Sequence, residues 1–174
     1  MPATQKSDND PNRASGLDRA APERVVFLEG ELLDEKRFDE WLELYAEDAI
    51  YWVPAAPGQS SPDNHVSLFY DDKETMLARV KRLRHPEIHA QLPATRTCRI
   101  ITNVAIGAFG EAGNTCIATS SHMIVEYRPG WEQRIFAGRC RHDLRRDGGR
   151  WLIVRKRLDL INCDAAFAAL TVPL

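Results

Sequence analysis

Residues 27–54, FLEGELLDEKRFDEWLELYAEDAIYWVP, limit what this chain can fold into more than any other stretch. Val25, Leu28 and Leu32, with Val26 and Leu33 beside them, recur at helical spacing and predict an amphipathic helix. Pro22 suits its first turn, where a backbone N–H has no helical partner to lose. Gly30 interrupts this helix at a cost of about 1 kcal/mol relative to alanine. A second helix is expected from Arg37 to Ala46, with Phe38, Trp41, Leu42 and Tyr45 on one face and Asp34 or Asp48 punctuating its ends. Ala49 to Val53 then reads as an aromatic, β-branched strand that Pro54 closes.

Downstream, AAPGQSSPDN is a loop by its Pro, Gly and Ser content, and His65 to Tyr70 is a short strand. Asp71 and Asp72 are placed to cap a third helix, Glu74 completing a capping-box pattern from Asp71. Met76, Leu77, Val80 and Leu83 are expected on its buried face; Arg79, Lys81, Arg82 and Arg84 fill its last turns, where cations suit the helix dipole. Beyond Pro93 the period changes to two. Long strands are predicted at about Arg96–Phe109, Thr115–Arg128, Glu132–Arg145 and Arg150–Asn162, joined through GEAGN, RPGW and RDGGR. On the last of these, Leu152, Val154, Leu158 and Leu160 share one face with Lys156 as the exception; Trp151, Ile153, Arg155, Arg157 and Asp159 share the other. Both faces mix apolar and charged groups, which suits a sheet covered by helices inside and by a neighbour outside. Helices followed by a long antiparallel meander mean α+β, and a meander wrapped around a helical layer gives a cone with an internal hollow.

Length and composition narrow the class. A chain of 174 residues makes one domain able to bury roughly 70% of its unfolded surface. Residues 1–22 are polar and read as a flexible N-terminal tail; residues 23–174 form the domain. The N-terminus has no apolar core, so it does not read as a signal peptide, and no apolar run approaches the roughly 20 residues of a membrane span. The cysteines, Cys98, Cys116, Cys140 and Cys163, form no CxxC pair; reduced thiols and a cytoplasmic setting are expected.

Charge is segregated. Arg128, Arg134, Arg139, Arg141, Arg145, Arg146, Arg150, Arg155, Lys156 and Arg157 face only Glu132, Asp143 and Asp147 in their segment. Residues 31–48 are acidic, with Glu31, Asp34, Glu35, Asp39, Glu40, Glu43, Glu47 and Asp48 against Lys36 and Arg37. The net charge of −2, and basic residues spread along strands without interleaved aromatics, argue against nucleic-acid binding. The two segments pair within the fold, or the arginines meet carboxylates of a second subunit, where a planar fork outperforms lysine.

No complete metal, phosphate or nucleophile motif is present, so no catalytic, cofactor-binding or metal-binding residue is assigned. Cys140-Arg141-His142 is half of a Rieske signature, but Cys163 is followed by Asp164, Ala165 and Ala166 rather than by a histidine three positions on. His85 and His89 have a helical metal-pair spacing, yet Pro86 lies between them and no glutamate holds the place a general base needs; loop histidines are the reading. Asp48, Tyr51, His122 and His142 are the residues that convergence in a hollow would make into an acid–base site; otherwise His122 and His142 are satisfied polar groups on strands.

The stretches LLDEKRFDEWLELYAEDAIYWVP, YDDKETMLARVKRL, TRTCRIITNV and GRCRHDLRRDGGRWLIVRKRLDLI, in this order over roughly Glu23 to Leu174, resemble the small (β) subunit of the aromatic-ring-hydroxylating dioxygenases. Gly30 stands where that pattern has alanine, and Thr102 precedes Asn103 and Val104 where it has serine. The resemblance implies a cystatin-like cone, as in nuclear transport factor 2, with three helices packed on a strongly bent antiparallel sheet. It also implies a large (α) subunit partner carrying a Rieske 2Fe-2S cluster and a mononuclear Fe(II). The implied assembly is α3β3 with homotrimer contacts between small subunits, fed with NAD(P)H electrons through a reductase and sometimes a ferredoxin. In that family the small subunit is generally structural and holds no cofactor. Two other readings rest on the cone alone: a stand-alone isomerase, lyase or dehydratase with a base in the hollow, or a small-ligand binding module without turnover.

Overall fold

The computed structural model describes residues 18–84 and 93–174. Helix α1 (Ala20–Asp34) lays Pro22, Val25, Val26, Glu29, Gly30, Leu32 and Leu33 against the sheet. Lys36, with φ at 59°, turns the chain, and Arg37 donates its N–H to the Leu32 carbonyl at 2.8 Å, leading into the short α2 (Phe38–Glu43). The expected second helix is thus cut short, and strand β1 (Tyr45–Pro54) starts where its last turn was predicted. Tertiary pairing overrides local propensity here. The Ile153 N–H captures the Leu44 carbonyl at 2.8 Å, and Tyr45 enters register with Ile153.

Strand β2 (Ser67–Asp72) pairs antiparallel with β1 and runs into α3 (Lys73–Leu83). The cap lies one residue later than the capping-box pattern placed it. Asp72 accepts from the Thr75 N–H at 2.8 Å, whereas Asp71 is buried and takes Nε and Nη2 of Arg79 at 2.8 and 3.0 Å. Met76 and Val80 are buried on α3; Leu77, expected with them, is exposed.

The meander β3 (Arg96–Ile106), β4 (Thr115–Tyr127), β5 (Arg134–Asp147) and β6 (Arg150–Leu160) follows the predicted strands closely. The strand order is β2-β1-β6-β5-β4-β3. Every neighbouring pair is antiparallel except β1–β6, which is parallel, so the sheet is not wholly antiparallel. Most of the chain lies between those two strands, which supplies the long crossover that a parallel pair requires.

Irregularities bend the sheet around α1. One lies in β3 between Thr102 and Ala105, where Asn103 takes a φ of 53°. A second lies in β6. Asp143 pairs with Arg155 and Leu144 with Ile153, so Val154 is the extra residue. That bulge shifts the face parity. Ile153, Lys156, Leu158 and Leu160 are the buried residues of β6, while Leu152 and Val154 are only partly buried. The even-numbered apolar face expected along the whole strand is therefore broken at Val154, and Lys156 points inward with the core.

Two glycines permit close approach. A Cβ on Gly30 would lie 2.7 Å from the Ile101 Cδ1, so α1 sits close on β3. A Cβ on Gly138 would lie 2.2 Å from the Asp159 carbonyl oxygen, where β5 and β6 press together.

Candidate functional site

The chemistry-bearing side chains of this fold gather on the inner face of the cone. Period two sends Ser120 and His122 of β4, and Cys140 and His142 of β5, to that face, and the bulge in β6 adds Lys156. Helix α1 brings Glu29 down onto them. All six are buried, with Glu29 and Lys156 each 1% exposed.

Glu29 is the hub. Its Oε1 accepts from Lys156 Nζ at 3.1 Å, from Trp41 Nε1 at 3.3 Å and from the Tyr45 hydroxyl; its Oε2 lies 2.9 Å from His142 Nε2. Cys140 Sγ lies 3.8 Å from the His142 ring nitrogens, His122 Nε2 is 2.9 Å from Ser120 Oγ, and the two imidazoles are 6.0 Å apart. Burial alone would raise the Glu29 pKa. The Lys156 charge and the His142 bond outweigh it and hold the carboxyl well below its ordinary value. Burial opposes charge on His142 too, but Cys140 and Glu29 carry it up to about 9. The Cys140 thiol is brought down to about 6, against burial, by the His142 charge and a bond from His122. Burial and the Glu29 charge push the Tyr45 phenol well above its ordinary range.

Carboxylate, imidazole and thiol thus form a relay of the kind that activates nucleophiles. This one is closed. Trp41, Tyr45, Tyr51, Leu158 and Leu174 pack around it, each at most 2% exposed. Clefts of about 1100, 660 and 100 Å³ over described residues are not lined by Glu29, Cys140, His122, His142 or Lys156.

Of the sequence candidates, the fold brings His122, His142 and Tyr51 inside. Tyr51 packs beside the relay, its ring centroid 5.0 Å from Lys156 Nζ, but its hydroxyl is bonded to the main chain of Leu174 rather than to a relay group. Asp48 does not join them. It stands on the surface, paired with Arg145 Nη1 and Nη2 at 2.9 and 2.7 Å, and lines the cleft of about 1100 Å³ instead. His85 and His89 lie outside the described residues. Glu29 and Lys156, the ionic centre, were not predicted. Their signal was present: Glu29 falls on the apolar stripe of α1 and Lys156 on the core parity of β6, an acid and a base each at a position that should be apolar.

The donor set does not fit an iron–sulfur cluster. Cys140 and His142 are engaged with each other and with Glu29, and among the described residues no group of three or more His, Cys, Asp or Glu side chains is arranged to hold a metal ion. The described cysteines are free thiols; Cys98 is exposed and the other three are buried. No helix among the described residues is long and apolar enough to cross a membrane.

The outer face of the sheet carries the opposite character. Ile100 pairs with Met123 across β3–β4, and Val125 pairs with Ile135 across β4–β5. Ile100, Met123 and Ile135 are 51%, 41% and 54% exposed, and Arg139 and Arg141 follow along β5. Within the acidic segment Arg37 bonds Glu35 and Glu40, while Asp34 pairs with Arg99, Asp39 with Arg84 and Glu47 with Lys73; Asp48–Arg145 links the two charged segments.

A family model described as ring hydroxylating beta subunit matches residues 28–165. The small oxygenase component of the p-cumate 2,3-dioxygenase system of Pseudomonas putida is 34% identical over 153 residues, covering 84% of this chain and 82% of that one. The crystal structure of the beta subunit of the benzoate 1,2-dioxygenase of Burkholderia mallei is similar with a TM-score of 0.70 at 28% identity, covering 85% of this chain and 93% of that one. An NTF2-like protein with a cystatin-like fold from Novosphingobium aromaticivorans has a TM-score of 0.58 at 16% identity, over 83% of this chain and 82% of that one. The cone is therefore of the cystatin-like, NTF2-like kind.

Proposed function

The chain belongs to the ring hydroxylating beta subunit family, and on that premise we propose that it is the structural small subunit of a multicomponent aromatic-ring-hydroxylating dioxygenase. The observation that carries the reading is the family match across residues 28–165. Two features support it. The relay inside the cone is packed shut, so it has no room for substrate, and the outer sheet face presents exposed apolar residues beside arginines, as a surface does when a partner covers it.

Under this reading a large subunit supplies the Rieske cluster, the mononuclear iron and the ring-binding pocket, and electrons from NAD(P)H reach it through a reductase. This chain supplies support and no catalytic residue. Assembly is α3β3 with small subunits in mutual contact, in the cytoplasm, and the substrate is an aromatic ring compound. The stand-alone isomerase reading needs an open hollow with a base on its floor; Asp48 faces outward and the inner histidines are enclosed, which counts against it.

Affinity purification of the tagged chain from its host tests the reading. A brown complex with a larger iron-bearing partner and a Rieske absorption spectrum is expected; the chain alone, colourless and free of iron, would overturn it.

A further inference from the structure

The hairpin between β4 and β5 borders a cleft of about 660 Å³, a volume typical of small-molecule sites. Trp131 lines it, as do the small side chains of Ala168 and Ala169 on the segment that follows β6. The turn Arg128–Trp131 is closed by the Trp131 N–H, which donates to the Arg128 carbonyl at 2.9 Å, with Gly130 at a φ of 85°. The Arg128 guanidinium lies over the indole, 5.4 Å from its ring centroid. The indole is thus held in place although Trp131 is 63% exposed. A large aromatic ring fixed in that state offers a flat apolar platform to whatever enters the cleft.

Arg134 supplies the polar contact. Its Nη2 lies 2.7 Å from Glu126 Oε2, and its guanidinium sits 5.3 Å from the Phe136 ring centroid. Glu126 is 3% exposed and accepts from the Thr171 hydroxyl at 3.1 Å, so the carboxylate that holds Arg134 is itself fixed. The N–H groups of Arg134 reach the Ala168 carbonyl only at 3.4 Å and the Ala169 carbonyl at 3.3 Å, beyond the usual range of about 2.7–3.2 Å. This guanidinium is anchored but weakly used as a donor, which is the condition of a preorganised site. The Glu126 charge beside it offsets its own, and Glu132 also lines the cleft. Both carboxylates oppose an incoming anion, so a neutral acceptor, a carbonyl oxygen, suits Arg134 better than a carboxylate does.

We propose that this cleft is a binding site for a neutral aromatic carbonyl compound, its ring laid on Trp131 and against Ala168 and Ala169, and its oxygen taken by Arg134. The site lies outside the Glu29–His142–Cys140 relay and uses none of its residues. The proposal stands apart from the partner reading: either can fail while the other holds.

Coumarin, a neutral planar lactone with one ring carbonyl, serves as the probe, titrated into the purified full chain in a calorimeter. Saturable binding of one molecule per chain is expected. Coumarin-3-carboxylate, which adds an anionic group, should bind at least about tenfold more weakly. Trp131→Ala should weaken coumarin binding by at least about tenfold as well, and Arg134→Lys, which keeps the charge beside Glu126 but loses the planar fork, by at least about threefold. If Arg134→Lys does not fold, Trp131→Ala decides, because that side chain is mostly exposed and the core does not depend on it. Absence of saturable binding, or binding that Trp131→Ala leaves unchanged, would overturn the site. Equal affinity for the carboxylate would overturn the choice of a neutral ligand.

Discussion

Glu29 and Lys156 meet 3.1 Å apart at the centre of the fold, each 1% exposed, joined across 127 residues of sequence. Burying two charges costs more than an apolar pair of similar size, but removing one partner is worse, because the survivor stays buried and uncompensated. Glu29→Gln should therefore destabilise the chain by about 3–5 kcal/mol in urea unfolding, leaving Lys156 and a charged His142 without their counter-ion. Glu29→Leu combined with Lys156→Met should recover most of that loss. A double mutant as unstable as the two single changes summed would show that the pair is not coupled.

Acid should find the same carboxylate. The folded-state pKa of Glu29 is held well below its ordinary value of 4.5, so its contribution is present above about that pH and is lost as pH falls below it. Unfolding curves from pH 6 to 3 should show a steeper loss of stability in the intact chain than in Glu29→Gln, the two curves converging at the acid end.

Cys140 and His142 shift in opposite directions, to about 6 and about 9. The raised His142 contributes stability below its unfolded value and loses it as pH rises through about 9. The lowered Cys140 contributes above its unfolded value and loses it as pH falls to about 6. Across the shared window the slopes oppose each other, because folding in effect moves one proton from thiol to imidazole. Thiolate absorbance near 240 nm should titrate with a midpoint of about 6 and vanish in Cys140→Ser, while Cys116, which burial pushes up to about 11, stays silent at neutral pH.

Gly138→Ala should cost about 2–3 kcal/mol, since the new methyl meets the Asp159 backbone and a strand must shift. Gly30→Ala should stay within about 1 kcal/mol of the parent, because the clashing atom is the movable end of Ile101 and helix propensity is gained. Paired thermal melts check both; equal costs would mean that backbone and side-chain clashes are not distinguished here.

The helices and the meander were legible because burial imposes a period, 3.6 on α1 and two on β3 to β6, and because RPGW and RDGGR mark hairpins. What escaped was non-local. The end of α2 was decided by Ile153 capturing Leu44, the face of β6 by an extra residue at Val154, and the cap of α3 by Arg79 claiming Asp71. The inner site was half legible. His122 and His142 share a strand parity, but Glu29 was not singled out among the residues of the first helix, and Asp48, in a plausible place by sequence, turned outward to Arg145. A charged residue standing where the pattern demands an apolar one is the signal that would have found the centre.

The most direct test of the supporting role is turnover per Rieske cluster of the oxygenase assembled with this chain, comparing the intact subunit with Cys140→Ser and His122→Asn. Unchanged kcat and KM in assemblies of unchanged mass is the predicted result. A large drop in kcat, with the assembly and its iron content intact, would contradict it and place chemistry inside the cone.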